Sequence, residues 1–212
     1  KKCGRLPSPL GRGPNQSLRT GVSQWVHSID FGWAIFMKGH VTMGFFSRLM
    51  GGSDKQATAA SEFEILAPVS GELVHLEKTN DPAFSSRAVG DGVAVVPQEG
   101  TVCAPVSGTV AALFPTEHAL GIMSDDSSAQ VMLHIGIDTV KLEGKDFHAL
   151  VAQGDHVDAG QPLVEVDFDA VRAAGFDPTV FVIVCERSEN STLREHASGP
   201  VAVKEPVVWL SE

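Results

Sequence analysis

From Glu62 onward, the chain consists of short apolar runs separated by Gly, Pro, Asp and Asn. Only two stretches, residues 146–154 and 167–175, have the apolar spacing of helical turns, and each ends at a glycine. Short runs at this spacing, without regularly alternating helices, predict an all-β sandwich or barrel. The runs with the length and composition of strands lie within residues 63–76, 88–97, 100–114, 129–138, 161–167, 178–185 and 204–210.

One pentapeptide, Ala-Pro-Val-Ser-Gly, occurs twice, at residues 67–71 and 104–108, and each copy continues into an apolar run. Each copy ends in glycine, and we expect a tight turn with positive φ at that position. Two similar turns that lead into two similar strands predict a duplicated β motif packed on itself.

The charge distribution divides the chain. Residues 1–42 carry six Lys or Arg and one acid, for a net charge of +5, whereas the remaining residues carry −15. A basic arm or targeting peptide is one interpretation of residues 1–42, and upstream sequence foreign to the evolved protein is the one we favour. Met43 would then be the start, residues 43–61 a leader and linker, and residues 62–212 the domain.

The overall composition excludes several classes of protein. The net charge of −10 argues against a nucleic-acid binder, which needs clustered Lys and Arg. Among all 212 residues, no apolar run reaches the roughly 18–20 residues of a membrane-spanning helix. Three widely separated cysteines argue against a disulfide framework and a structural zinc site, and they fit a reducing cytosol.

Residues 131–138 are the most informative segment for chemistry. On a strand their side chains alternate, so one face is aliphatic and the other carries His134, beside Gly136, which leaves open space, and Asp138. A surface histidine is the ordinary interpretation, and a group for proton or phosphoryl transfer is the functional one. The aliphatic face comprises Val131, Leu133, Ile135 and Ile137, and Met132 shares the face of His134.

A second candidate pair lies in the segment Phe114–Leu120. If this segment is extended, Thr116 and His118 project on the same side, and a hydroxyl with an imidazole can bind an anion. By itself this signal is weak. We interpret the other histidines as surface residues.

At this point the chain resembles a known family, the glucose-type IIA component of the bacterial phosphoenolpyruvate:sugar phosphotransferase system. The resemblance covers about 150 residues, from about Glu62 to Glu212, and LHIGIDTVKLEG is its most specific part. The other matching motifs are ILAPVSGELV, DPAFSSRAVGDGVAVVP, CAPVSGTVAALFPTEHALGI, GDHVDAGQPLVEVD and PVVWL.

The resemblance implies an antiparallel β-sandwich built from a duplicated hybrid motif, with short helical turns. It implies that His134 accepts a phosphoryl group from the phosphocarrier protein HPr and passes it to a cysteine of a IIB sugar-permease domain. His118 would bind the phosphoryl oxygens, and Thr116 would form a hydrogen bond with His118. The family further implies a cytoplasmic monomer that acts transiently at the inner face of the membrane and needs no cofactor.

The resemblance also assigns a docking surface for these partners. An apolar ring around the site would comprise Phe84, Val89 and Phe114, and Asp81 and Asp138 would be flanking acids. Met132 would also contact partners. Some members regulate permeases or kinases in the unphosphorylated form. In such a complex His118 and His134 would share a zinc ion with a partner's carboxylate, although neither binds metal in the free protein.

Two features depart from the family pattern near the candidate site. Met132 stands where relatives often have Phe, and Glu117 stands where a neutral Asn is usual. The negative charge of Glu117 would either weaken phosphate binding slightly or point to solvent. The loop at residues 124–130 is one residue longer than in the enteric form.

Two other classes share parts of this sequence pattern. A biotinyl or lipoyl carrier domain has a similar turn but needs an exposed lysine within an MKM or DKA motif, which the sequence lacks. A LytM-type zinc peptidase would use His134 and Asp138 as HxxxD, but it also needs an HxH motif, and the sequence has none. The phosphocarrier remains the favoured interpretation.

Overall fold

β-Strands make up most of the regular structure in the computed structural model, which describes residues 62–98 and 100–212. Our predictions for residues 1–42 and 43–61 lie outside the described residues. The strands of the described part are β1 (Phe63–Leu66), β2 (Gly71–His75), β3 (Asp91–Pro97), β4 (Thr101–Cys103), β5 (Gly108–Leu113), β6 (Ala119–Ser124), β7 (Ala129–Ile137), β8 (Phe147–Ala149), β9 (His156–Val157), β10 (Pro162–Val166), β11 (Asp177–Arg187), β12 (Thr192–Glu195), β13 (Gly199–Val201) and β14 (Pro206–Ser211). The helices are short: α1 (Pro82–Ser85), α2 (Phe168–Ala173) and the 3₁₀ segments Leu76–Lys78 and Thr139–Leu142.

The described strands form three sheets, and every pairing between them is antiparallel. The large sheet has eight strands in the order β13-β2-β3-β11-β7-β6-β5-β9. Two small sheets, β1-β14-β12 and β4-β10-β8, complete the fold. The all-β prediction is confirmed. Among the described residues, no helix combines the length and the apolar character needed to cross a membrane.

The two copies of the pentapeptide contact each other through reciprocal hydrogen bonds. The amide of Leu66, just before the first copy, donates to the Pro105 carbonyl at 2.8 Å. The amide of Cys103, just before the second copy, donates to the Pro68 carbonyl at 2.8 Å. Because equivalent groups in the two copies exchange the same bond, the copies are related by an approximate two-fold axis.

The serine of each copy makes the same contact with a later loop. Ser107 Oγ accepts the amide of Ala159 at 2.8 Å, and Ser70 Oγ accepts the amide of Val203 at 3.0 Å. Each loop then leads into a strand, β10 or β14, that pairs with the strand before its own copy, β4 or β1. The duplication therefore extends beyond the pentapeptides to the strands around them.

The glycine of each copy is needed for space, not for positive φ. Neither Gly71 nor Gly108 has a positive φ, so our expectation of a left-handed turn was wrong. A Cβ at Gly108 would lie 2.0 Å from the Met123 carbonyl oxygen, and one at Gly71 would lie 2.0 Å from that of Val96. Both glycines allow the neighbouring strand to approach closely.

The alternation predicted for β7 is present on its core side. Val131, Leu133 and Ile135 are at most 1% exposed and belong to the main hydrophobic core, whereas Ile137 is half-buried. The opposite face of β7 is covered too, since Met132 is also buried, but outside that core. The eight-stranded sheet therefore has apolar packing on both faces in this region.

The prediction was less accurate for short or irregular elements. Residues 167–175 contain helix α2 as predicted, but residues 146–154 form strand β8 and a turn instead of a helix. Phe147 is buried and pairs with Val166 of β10, so tertiary pairing outweighs the local pattern. Our prediction also omitted β6, which is buried on both faces and lacks alternation, and the short strands β9, β12 and β13.

Replacing Gly108 by alanine should destabilise the domain strongly. The added Cβ would force β5 and β6 apart, and we expect a loss of at least about 2 kcal/mol, within the usual range of overpacking effects. Urea denaturation of Gly108→Ala and of Thr109→Ala, an exposed position on the same strand, would measure this loss. Equal stabilities of the two variants would contradict the close-approach explanation.

Candidate functional site

Strands β6 and β7 bring the two candidate histidines together. Ala119 of β6 pairs with His134 of β7, and the Ile135 amide donates to the His118 carbonyl at 2.7 Å. The imidazole centroids of His118 and His134 lie 5.0 Å apart, and the rings are perpendicular, at 89°. His118 is 5% exposed and His134 is half-buried, so the pair lies close to the surface but is largely enclosed by protein.

Thr116 forms a hydrogen bond with His118, as expected, but from a turn. Its Oγ1 lies 2.6 Å from Nδ1 of His118. The segment is not extended, because the Glu117 amide bonds back to the Phe114 carbonyl at 2.8 Å and Glu117 has φ of 56°. The chain reversal at Glu117 therefore brings the hydroxyl to the ring.

A pair of stacked phenylalanines contacts the ring of His134. Phe181 of β11 pairs with His134 and stacks on Phe84, with centroids 4.2 Å apart. The Phe84 ring lies 5.1 Å from the His134 ring, and Phe181 lies 6.2 Å from it. We did not identify Phe181 from the sequence, because only the register between β7 and β11 places it beside His134.

The loop that contributes Phe84 is fixed at both ends. Asp81 caps helix α1, since its Oδ1 accepts the Ala83 amide at 2.8 Å. Arg87, beyond the helix, donates to Glu77 at 2.6 Å and to Glu195 at 2.7 Å. These contacts hold Phe84 under His134.

The end of β7 differs from the extended strand that we predicted. Gly136 and Asp138 have φ of 79° and 63°, so alternation stops before Asp138. The space beside Gly136 is not open, because a Cβ there would lie 2.3 Å from Cγ2 of Thr139. Asp138 instead forms an ion pair with Lys141 at 2.7 Å.

The surroundings keep both imidazoles neutral near pH 7. Burial, with a smaller contribution from the charge of His134, lowers the pKa of His118 to about 4. Burial also lowers the pKa of His134 to about 4, against the opposing effects of the Gly136 backbone and the Asp138 charge. Nδ1 of His134 is buried, and apart from the influence of the Gly136 backbone it has no hydrogen-bond partner of good geometry. A group that enters from solvent would therefore reach this ring at Nε2.

The apolar residues predicted to contact partners are not equally accessible. Phe84 and Met132 are 1% and 3% exposed, so in this structure both are buried instead of lining the surface, and Phe84 packs against His134. Val89 and Phe114 are half-buried, and the Phe114 ring packs edge-on against His118 with centroids 5.7 Å apart. Docking at this ring and at the flanking acids stays a prediction.

The half-buried side chain of Glu117 forms a hydrogen bond with the backbone of strand β8. Its Oε2 accepts the amide of Ala149 in β8 at 2.8 Å. From the sequence we considered that this charge would weaken phosphate binding or point to solvent. Neither interpretation included the hydrogen bond with Ala149.

The remaining histidines of the described part lie apart from this pair. His75 bonds to Glu195 and His156 to Asp125, each at 2.9 Å, and His148 is exposed. Across residues 62–98 and 100–212, no group of three or more His, Cys, Asp and Glu side chains could hold a metal ion.

The comparison with protein families matches this arrangement. A model of the family described as phosphoenolpyruvate-dependent sugar phosphotransferase system, EIIA 1, matches residues 63–190. The match includes both histidines and both copies of the repeat. The chain belongs to this EIIA family. Members act in phosphoryl transfer within that sugar-transport system, so this EIIA domain is a phosphotransferase component.

Curated relatives contain the EIIA domain within longer proteins. The chain is 42% identical over 144 residues to the glucose-specific EIICBA component of Streptococcus pneumoniae, a match covering 68% of this chain and 20% of the relative. It is 40% identical over 170 residues to the β-glucoside-specific EIIBCA component of Bacillus subtilis, covering 80% of this chain and 28% of the relative. The matched EIIA region therefore spans less than a third of these relatives.

A solved structure also resembles this EIIA domain. The glucose permease IIA from Mycoplasma capricolum superposes with a TM-score of 0.65 at 33% identity. The match covers 70% of this chain and 96% of the other. This similarity confirms the predicted β-sandwich.

The stability of the EIIA domain should decrease in mild acid. Folding lowers the pKa of both rings from 6.5 to about 4, so between these values the unfolded chain binds more protons. The free energy of unfolding should therefore contain the whole contribution of these two histidines above pH 6.5, and it should decrease as the pH falls toward 4. Urea denaturation at several pH values should show a shallower decline for His118→Gln. The exposed control His148→Gln should retain the wild-type decline, and equal slopes in both variants would contradict the assignment.

Proposed function

We propose that His134 of this EIIA domain carries a phosphoryl group between two protein partners. The main observation in support is the perpendicular pair of neutral imidazoles, His118 and His134, with centroids 5.0 Å apart. The donor would be phosphorylated HPr, and the acceptor would be a cysteine of a IIB sugar-permease domain. The curated relatives, in which IIA, IIB and IIC parts share one protein, support a IIB partner.

The neutral state of His134 suits it to the role of acceptor. A neutral imidazole has a free nitrogen lone pair, whereas a protonated ring has none. With Nδ1 buried, Nε2 would attack the phosphorus atom as the bond to the donor nitrogen breaks. The step needs no nucleotide, because the donor already carries the activated group.

His118 would stabilise the charge of the transferred group. If the Thr116 hydroxyl donates to Nδ1 of His118, the proton of this neutral ring resides on Nε2. That N–H can donate to a phosphoryl oxygen beside His134. Phosphoryl transfer depends mainly on such alignment and charge stabilisation.

The surface around the pair would receive the partners in turn. Val89 and Phe114, which are half-buried, would offer apolar contacts, and the acids Asp81 and Asp138 would flank the site. A small surface of this kind suits brief encounters with two partners. We propose that the domain works as a monomer in the cytoplasm and docks transiently at the inner face of the membrane.

A regulatory role in the unphosphorylated form belongs to the same proposal. His118 and His134, whose rings lie 5.0 Å apart, would provide two nitrogen ligands for zinc, and a partner's carboxylate would have to provide a third. Such a metal would bridge the two proteins at the interface. Zinc-dependent association with a regulated permease or kinase, lost in His118→Gln, would support this role.

Replacing His134 by alanine should abolish phosphorylation. The assay uses radiolabelled phosphoenolpyruvate with enzyme I and HPr, and the wild type should acquire an acid-labile, base-stable label. His134→Ala should acquire none, whereas His148→Ala, which removes an exposed histidine, should match the wild type. A label on His134→Ala would assign the acceptor to another histidine.

Replacing His118 by glutamine should separate the two steps. His134 should still accept the phosphoryl group, but onward transfer to a IIB domain should slow by roughly a hundredfold or more, because one stabilising donor is lost. Rapid-quench measurement of each step would show the separation. Onward transfer at the wild-type rate would overturn the role of His118.

A further inference from the structure

The backbone conformation of Glu117 needs a stabilising contact. Its φ of 56° is left-handed, a conformation uncommon for residues other than glycine and costly by about 1 kcal/mol or more. Such a conformation persists where surrounding contacts impose it. The turn that carries Thr116 therefore depends on what holds Glu117.

Two backbone hydrogen bonds close the turn itself, from the Glu117 amide to the Phe114 carbonyl at 2.8 Å and from the Phe114 amide to the Ala119 carbonyl at 3.0 Å. A side-chain hydrogen bond of Glu117 joins the turn to a different sheet. Glu117 Oε2 accepts the Ala149 amide at 2.8 Å, and both residues are half-buried. Ala149 lies on β8, the edge strand of the sheet β4-β10-β8. The carboxylate thus satisfies a donor at a sheet edge and ties the turn to that sheet.

The backbone on the two sides of Glu117 is held differently. His118 is fixed to β7, because its carbonyl accepts the Ile135 amide at 2.7 Å. Thr116 lies within the turn, where its side-chain bond to Nδ1 of His118 depends on the path of the chain at Glu117. A shift of the turn would move the hydroxyl while His118 stays in place.

We propose that Glu117 is a positioning residue: its carboxylate braces the turn against β8 and so keeps the Thr116 hydroxyl on Nδ1 of His118. Glu117 acts through this hydrogen bond and not through its charge. The consequence for phosphoryl transfer rests on the function proposed above, whereas the effect on the His118 ring does not.

Three variants separate the hydrogen bond from the charge. Glu117→Gln keeps an oxygen acceptor of the same reach and removes the charge, and Glu117→Ala removes both. Glu143→Ala is the matched control, because Glu143 is exposed, also left-handed with φ of 54°, and near the site in sequence. Thr116→Val shows how the ring behaves without the hydroxyl.

The first readout is the ¹⁵N spectrum of the His118 ring at pH 7, which reports its tautomer and hydrogen bonding without any partner protein. Glu117→Ala should resemble Thr116→Val, whereas Glu117→Gln and Glu143→Ala should resemble the wild type. A wild-type ring spectrum in Glu117→Ala would contradict the proposed positioning role of Glu117. Equal changes in the Gln and Ala variants would show that the charge acts instead.

The second readout is phosphoryl transfer. In Glu117→Ala, transfer from His134 to a IIB domain should slow by roughly tenfold, since a displaced group loses alignment. Glu117→Gln should transfer as the wild type does, and circular dichroism should confirm that all variants are folded. Rate losses of equal size in the Gln and Ala variants would overturn the proposal. If no protein is phosphorylated, wild type included, the proposed function is wrong. The ring spectra alone then test whether Glu117 positions Thr116.

Discussion

The register of β7 between β6 and β11 is the constraint on which the site depends. It sets His134 beside Ala119 on one side and Phe181 on the other, and it joins the His118 carbonyl to the next amide along β7. A slip of one residue would turn His134 into the core and bring a core side chain to the surface. The buried row of β7 therefore fixes the position of the histidine through the cost of exposing apolar side chains.

The duplicated turns stabilise the framework around that register. Reciprocal hydrogen bonds connect the two copies, and the glycine of each copy allows two neighbouring strands of the large sheet to approach closely. The site itself is not duplicated. It arises where the β5–β6 turn, the end of β7 and the loop around Phe84 meet. The duplicated segments therefore stabilise the framework, whereas the candidate site is built from segments that are not duplicated.

The apolar surroundings of the histidines explain how the site combines stability with reactivity. Phe84 and Phe181 fill the space beneath His134, and burial lowers the pKa of both imidazoles. The rings remain neutral near pH 7, which is the state that the proposed phosphoryl transfer requires. The same burial makes the fold sensitive to acid, because protonation would place charge in an apolar environment.

The sequence by itself determined the all-β class, the duplication, the aliphatic row of β7 and the histidines, because strand periodicity and repeated motifs are local properties. Tertiary structure decided what local pattern cannot encode: strand β8 instead of a helix, Phe181 beside His134, and the bond between Glu117 and Ala149. These features depend on which distant strands pair and in what register. The burial that sets the pKa of His134 belongs to the same group, since it is produced by side chains far away in the chain.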